Sequence, residues 1–168
     1  LAATMNPCPC GYYGADTEEH QCRCTPGQIQ RYRDKISGPL LDRIDLQVEV
    51  PRMDIDSLFV RENAGRRSES ADFASLVAEA QERQARRYVN ENFRFNGELD
   101  AAGVRRYCPL DEPGENLLKQ AFRTLNFSGR AYHRILKLAL TLADLEGHDR
   151  IRAEHLAEAL QYRALDKS

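Results

Sequence analysis

The stretch SGRAYHRILKLALTLADLEG, residues 128 to 147, carries the clearest structural pattern in the chain. Its apolar side chains recur every three or four residues, which is the spacing of one face of an α-helix. Ser128 is a residue type that caps helix N-termini, and Gly147 is the type that follows a helix C-terminus. The stretch therefore predicts a helix over 129–146. Its apolar face consists of Tyr132, Ile135, Leu136, Ala139, Leu142 and Ala143.

Similar patterns on both sides of this stretch predict an all-helical bundle over residues 71–168. Phe73, Val77 and Ala80 are expected to face the core from the first helix of the bundle. The predicted helices besides the one over 129–146 cover residues 71–90, 101–107, 115–125 and a segment that follows Ile151.

The first 60 residues contain sequence patterns typical of β-strands as well as of a helix. Residues 1–5 form a short apolar run before Asn-Pro, and residues 45–50 alternate between polar and apolar types, so both predict β-strands. Thr25-Pro26 predicts the start of a helix between them. The predicted fold is an α/β part over residues 1–60, a polar linker over 61–70 and the helical bundle over 71–168, which is predominantly helical overall.

Composition excludes several classes of protein. The chain has 168 residues, of which 42% are hydrophobic and 30% charged, so it is expected to fold around a core. Its net charge of −2 argues against a wholly basic nucleic-acid coat. No apolar run approaches the ~20 residues that cross a bilayer, and no secretory signal is evident, so we expect a cytoplasmic protein. Because it begins at Leu1 in an apolar run, we expect a piece of a larger protein.

Four of the five cysteines are clustered near the N-terminus, whereas Cys108 stands alone and is expected in the core. In a reducing compartment, clustered thiols bind metal more often than they pair. Four thiolates complete a tetrahedral Zn²⁺ site, and Gly11 and Gly14 supply turns between the two pairs. The alternative is four reduced thiols in an exposed loop, and His20 is a possible substitute ligand. The predicted structural zinc ligands are Cys8, Cys10, Cys22 and Cys24.

Two stretches are rich in basic residues. Between residues 120 and 140 there is no acidic residue, and we expect Arg134 and Lys137 to lie on a solvated cationic face. The second stretch has interleaved aromatic residues, as in proteins that bind single-stranded nucleic acid. The alternative is that its arginines are exposed partners of nearby glutamates and its aromatics belong to a core. Its members are Arg83, Arg86, Arg87, Tyr88, Phe93, Arg94, Phe95, Arg105, Arg106 and Tyr107.

Three segments together resemble motifs of the magnesium-chelatase-like AAA+ ATPases, and most of all those of the bacterial YifB/ComM subfamily. They are TMNPCPCG at residues 4–11, ISGPLLDRID at 36–45 and SGRAYHRILK at 128–137. The likeness covers nearly the whole chain in the same order. It implies that residues 1–60 are the C-terminal part of a P-loop AAA+ core and that residues 71–168 are its helical lid.

The resemblance also assigns roles to single residues. Asn6 is similar to the sensor 1 residue, whose neutral amide orients the attacking water at the γ-phosphate. Arg43 resembles the arginine finger, which reaches the nucleotide of a neighbouring subunit and therefore implies a ring. Arg130 resembles the sensor 2 arginine of the lid, in the first turn of a helix where an anion is favoured. Asn6 and Arg130 are thus the implied nucleotide contacts.

The resemblance implies ATP and Mg²⁺ as cofactors of a longer parent protein. This sequence has neither the G-x-x-x-x-G-K-[ST] phosphate loop nor an apolar strand that ends in an acidic pair, so we expect it to be inactive alone. The implied parent is a hexameric ring that acts as an ATP-driven DNA motor of the branch-migration type. A magnesium-chelatase-like or MoxR-like ATPase that remodels a protein is one alternative. A free-standing zinc module that binds protein or nucleic acid is another.

Overall fold

The computed structural model describes residues 2–14, 20–50, 69–125 and 127–163. The chain divides into two compact units. The first contains the described residues within Leu1–Arg43 and Val48–Arg61, and the second those within Ile44–Gln47 and Glu62–Ser168. The short segment Ile44–Gln47 is therefore part of the second unit, although the first unit precedes and follows it along the chain.

The described residues are predominantly helical, with seven α-helices and one short 3₁₀-helix at Asn96–Glu98. The first unit contains α1 and α2, and the second contains the other five. The α-helices are α1 (Pro26–Arg33), α2 (Gly38–Leu41), α3 (Glu69–Arg87), α4 (Ala101–Tyr107), α5 (Glu112–Leu125), α6 (Gly129–Leu145) and α7 (Ala153–Gln161).

Helix ends follow the local sequence signals. The Thr25 side chain accepts from the Gln28 backbone N–H while the Gln28 side chain reaches back to Thr25, which forms a capping box. Ser128 caps α6 by accepting from the Ala131 N–H at 3.2 Å. Gly147 has φ +80°, the left-handed geometry that ends a helix and that glycine adopts without strain. These caps confirm the predicted starts of α1 and α6 and the predicted end of α6.

Helix α6 is the central element of the second unit, because it packs against α3, α4, α7 and the 3₁₀-helix. Its buried side chains recur at helical spacing, as the sequence predicts. The core around α6 consists of Tyr88, Leu99, Val104, Cys108, Leu118, Ala131, Ile135, Leu136, Ala139, Leu140, Ile151, Leu156 and Ala159.

The strands predicted for residues 1–5 and 45–50 are not formed by any described residue. A strand needs a neighbour for its backbone hydrogen bonds, and the described part of the chain provides no second strand. Val48 and Val50 are 61% and 84% exposed, so the alternation there does not mark a buried face. The predicted α/β character of residues 1–60 is therefore not observed in the part of the chain that the structure describes.

Helix α3 also differs from its prediction. Ala80 is buried, but Phe73 and Val77 are 64% and 47% exposed. Among the described side chains of α3, none before Ala80 is buried, because only the later turns reach the core. The predicted inward position of Phe73 and Val77 is wrong in this unit. Most of the linker predicted for 61–70 lies outside the described residues, and Glu69 and Ser70 already belong to α3.

Candidate metal centre and nucleotide-sensing residues

The four clustered cysteines are brought together by two tight turns in the first unit. Gly11 and Gly14 have φ +84° and +77°, and the Gly11 N–H donates to the Cys8 carbonyl at 3.1 Å. These are conformations that side-chain-bearing residues rarely adopt. The four sulfur atoms all lie within 4.8 Å of one another, and none of these four cysteines forms a disulfide. His20 is exposed and does not belong to this group of possible ligands.

The distances between the sulfurs fit a zinc ion. A tetrahedral site with Zn–S bonds of about 2.3 Å requires sulfur atoms about 3.8 Å apart. The Sγ of Cys22 lies 3.8 Å from that of Cys8 and 3.7 Å from that of Cys10, whereas Cys8 and Cys10 are 3.3 Å apart. The four sulfurs are therefore suited to bind Zn²⁺. The sulfurs of Cys8 and Cys10 would have to move slightly further apart.

Each of these thiols ionises differently because the other sulfurs lie close to it. Backbone N–H groups of Tyr12 and Arg23 donate to the Cys10 sulfur and lower the pKa of that thiol to about 6. The Cys24 N–H favours the Cys22 thiolate, but burial and the sulfurs of Cys10 and Cys8 raise the pKa of Cys22 to about 12. The pKa values of Cys8 and Cys10 are thus lowered, whereas those of Cys22 and Cys24 are raised because their thiolates would lie beside the other sulfurs. A cation among the four would remove this repulsion.

Asn6, the sensor 1 candidate, lies beside the cysteine loop. Its side chain is exposed, and its amide nitrogen is 3.8 Å from the position that a Cβ on Gly11 would occupy. A side chain at Gly11 would therefore touch the amide, as well as being strained by the positive φ. The turn that positions the first cysteine pair thus also borders Asn6.

Arg43, the arginine finger candidate, follows α2 directly. Its guanidinium is exposed, and Nη1 donates to the Pro39 carbonyl at 2.7 Å. Pro39 occupies the first turn of α2, so the side chain folds back along this short helix. A guanidinium carries its N–H donors in a planar fork, a geometry that matches phosphate oxygens.

Arg130, the sensor 2 candidate, is exposed in the first turn of α6, which Ser128 caps. The positive end of the helix dipole at that turn favours an anion nearby. The first unit holds Asn6 and Arg43, and the second holds Arg130.

The expected solvated face of α6 is wrong for Arg134 and Lys137. Both side chains are half-buried. Arg134 forms an ion pair with Asp45, and Lys137 donates to the Gly97 carbonyl at 3.0 Å. These cations therefore have partners within the second unit, which sequence reasoning missed because the partners are 89 and 40 residues away.

The second basic stretch is largely structural. Tyr88 is buried, and its ring meets those of Phe93 and Tyr107 edge-to-face at 6.0 and 5.1 Å. Arg106 pairs with Glu91 at 2.6 Å, as the alternative interpretation expects. The aromatic spacing here belongs to the core rather than to a stacking surface.

Arg87, a member of that stretch, has a buried partner that the sequence did not suggest. It donates to both oxygens of Asp144 at 2.5 and 2.9 Å. Burial opposes the charge of Arg87, but the bonds to Asp144 outweigh it and raise the pKa of the guanidinium. The Asn96 amide donates to Asp144 at 2.8 Å and accepts from the Tyr88 hydroxyl at 2.7 Å. This network ties α3 and the 3₁₀-helix to α6.

A second cluster of possible metal ligands lies where α6 leads into α7, and consists of Glu146, His148, Glu154 and His155. His155 is fully buried, and its Nδ1 accepts the Arg152 backbone N–H at 2.9 Å. A neutral imidazole with an accepting Nδ1 carries its proton on Nε2. That nitrogen lies 3.1 Å from a Glu146 oxygen, so it donates and has no lone pair for a metal. The cluster therefore links the C-terminal end of α6 to α7 through hydrogen bonds.

None of the helices in the described residues is long and apolar enough to cross a membrane.

Comparison with known families gives two matches that together cover most of the chain. A model described as "Magnesium chelatase, subunit ChlI" matches residues 1–58. A model described as "Magnesium chelatase, subunit ChlI C-terminal" matches residues 67–163.

Curated relatives match over almost the entire chain. The "Competence protein ComM" of Haemophilus influenzae is 43% identical over 98% of this chain and 30% of its own length. The YifB protein of Salmonella typhimurium is 38% identical over 99% of this chain and 31% of its own length. An uncharacterised protein of Mycobacterium tuberculosis is 32% identical over 97% of this chain. The chain thus spans about a third of the length of these relatives.

Proposed function

The chain belongs to the magnesium chelatase ChlI family, in its YifB/ComM branch, and on that premise we propose that it is the sensor, finger and lid part of an ATP-driven ring ATPase that works on DNA. The position of Arg130 carries the nucleotide part of this proposal. It is an exposed arginine in the first turn of a capped helix, and such a turn already favours phosphate. The relative named for competence supports DNA as the substrate.

Each proposed residue contributes a different interaction. The Asn6 amide both donates and accepts, so it orients a water molecule without adding charge. The Arg43 guanidinium stays charged at any physiological pH and binds phosphate oxygens with two N–H groups at once. Arg130 adds a second cation from the lid. ATP and Mg²⁺ supply the phosphoryl group and the metal charge, and a phosphate loop outside this sequence would hold them.

A ring follows from the proposed finger, because Arg43 acts on the nucleotide of a neighbouring subunit. We propose a hexamer in which residues 1–60 complete the ATPase core and residues 71–168 form the lid. Within that complete core, residues 1–5 would gain the neighbouring strands that β-structure requires. A single subunit would hydrolyse ATP poorly, since its own site lacks a finger.

ATPase assays of the full-length protein separate a DNA motor from the alternatives. We expect single-stranded or branched DNA to stimulate ATP turnover severalfold, because a motor couples hydrolysis to movement on its track. Heparin is the control for a purely electrostatic effect. If neither DNA stimulates turnover and a protein partner does, the protein-remodelling alternative is correct. Absence of any ATPase activity would favour the free-standing zinc module.

We propose that the four clustered cysteines bind one structural Zn²⁺. The chain purified without added metal is expected to contain one equivalent, measured by inductively coupled plasma mass spectrometry. The Cys22→Ser variant should lose most of it, because three thiolates hold zinc less tightly than four. Cys108→Ala is the matched control, since Cys108 is a buried thiol outside the cluster.

The pH dependence gives a second check on the same site. Protons compete with zinc for the sulfurs, so zinc is retained at neutral and high pH and released as the pH falls. Cys10 forms a thiolate most easily, with a pKa of about 6, so at least this ligand is ready for zinc at neutral pH. Well under one equivalent of zinc at pH 7.5 would refute the site.

A further inference from the structure

The segment Ile44–Gln47, here called the strap, follows Arg43 directly and is held by the second unit. At its start, the Ile44 carbonyl accepts from Nη1 of Arg163 at 2.7 Å. At its end, the Gln47 N–H donates to the Tyr162 carbonyl at 2.9 Å. Both hydrogen bonds are made by backbone groups of the strap. They therefore fix its backbone independently of its side chains.

The hydrogen bond to the Ile44 carbonyl comes from a buried side chain. Arg163 is 1% exposed although it carries a permanent charge. Removing a guanidinium from water is costly unless its donors are used, and a hydrogen bond from a charged donor is about twice as strong as a neutral one. The Ile44 carbonyl supplies such an acceptor. The strap is therefore part of the packing around the C-terminal end of α7.

A third contact joins the strap to the proposed sensor helix. Asp45 forms an ion pair with Arg134 on α6. Arg134 lies four residues after Arg130, so the two arginines are one helical turn apart. The helix that carries the sensor 2 candidate thus also holds the residue two positions beyond the finger candidate.

We propose that the strap positions Arg43 through α6 and α7, so that Asp45, Arg134 and Arg163 are positioning residues for the arginine finger. This inference rests on the proposed role of Arg43. Arg43 and Ile44 are adjacent in the chain, so contacts that fix the backbone of the strap also restrain the backbone at Arg43.

The size of the effect follows from how sensitive phosphoryl transfer is to geometry. A shift of about 1 Å in a catalytic group can cost a hundredfold in rate. A finger makes its contact in the transition state, so loosening it should lower kcat and leave ATP binding nearly unchanged. A residue that merely stabilised the fold would lower the amount of active protein and leave kcat per folded ring unchanged.

The test uses steady-state ATPase kinetics of the full-length ring. We expect Asp45→Asn to lower kcat about tenfold or more, with KM for ATP within about twofold of the parent value. Arg134→Asp should lower kcat further, because it places a second carboxylate beside Asp45 and the two repel each other. Combining Asp45→Arg with Arg134→Asp restores the ion pair and should recover most of the lost kcat. Glu49→Gln is the matched control, since it removes one exposed carboxylate near the strap.

Two further results separate this inference from the proposed function. If Arg43→Ala abolishes turnover but Asp45→Asn and Arg134→Asp do not change kcat, Arg43 is the finger and the strap does not position it. If Arg43→Ala itself has no effect, the proposed finger is wrong. Hydrogen exchange of the Gln47 amide reports on the strap directly. We expect slow exchange that Arg163→Met accelerates at least tenfold, and fast exchange in the parent chain would overturn the inference.

Discussion

Replacing Arg43 with alanine is expected to lower ATP turnover of the full-length ring by about 10³-fold or more, the usual contribution of an arginine finger. The guanidinium neutralises charge that develops on the transferring phosphoryl group, and nothing in a methyl side chain replaces it. ATP affinity should change little, because the finger contacts the transition state more than the bound nucleotide. Turnover is measured with a coupled assay and affinity with a fluorescent ATP analogue.

Arg43→Lys is the matched control for charge. Lysine keeps the positive charge but loses the planar pair of donors, so turnover should recover only in part. Full activity of Arg43→Ala would remove Arg43 from the mechanism. An arginine that only formed an exposed surface ion pair would instead change stability by at most ~1 kcal/mol and leave turnover unchanged.

The largest effect on stability is expected for Asp144→Ala. This substitution leaves Arg87 half-buried without its bidentate partner and removes an acceptor of Asn96. Breaking such a buried pair costs about 3–5 kcal/mol of the free energy of unfolding. The melting temperature should then fall by more than about 10 °C. Urea denaturation of the chain, followed by circular dichroism at 222 nm, measures the change.

Asp149→Ala is the control for this prediction. Asp149 also pairs with an α3 arginine, Arg83 at 3.4 Å, but its side chain is 92% exposed. Such a pair contributes about 0–1 kcal/mol. Equal destabilisation by the two variants would mean that the buried network does not hold α3 and the 3₁₀-helix to α6.

Local chemistry made part of this fold predictable. Thr25, Ser128 and Gly147 act within one helical turn, so their capping roles could be inferred from neighbouring residues alone. The cysteine cluster was predictable for a similar reason: its members are close along the chain, and glycine turns bring them together.

Long-range partners were not predictable in this way. Arg87 and Asp144 are 57 residues apart, and nothing near Arg87 distinguishes it from an exposed helix arginine. The sequence predicts that residues 45–47 of the strap belong to a strand, because polar and apolar residues alternate there. Alternation describes side chains, whereas the strap is held mainly through its backbone by residues more than a hundred positions later.

The central claim, that Arg43 acts on the nucleotide of a neighbouring subunit, is tested most directly by mixing two inactive full-length variants. One carries Arg43→Ala, and the other has a disabled phosphate loop but an intact Arg43. In rings assembled from equal amounts, about a quarter of the interfaces join an intact nucleotide site to an intact finger. We expect the mixture to recover roughly that share of the parent ATPase activity, provided that sites act independently. A mixture no more active than its two components would contradict the account.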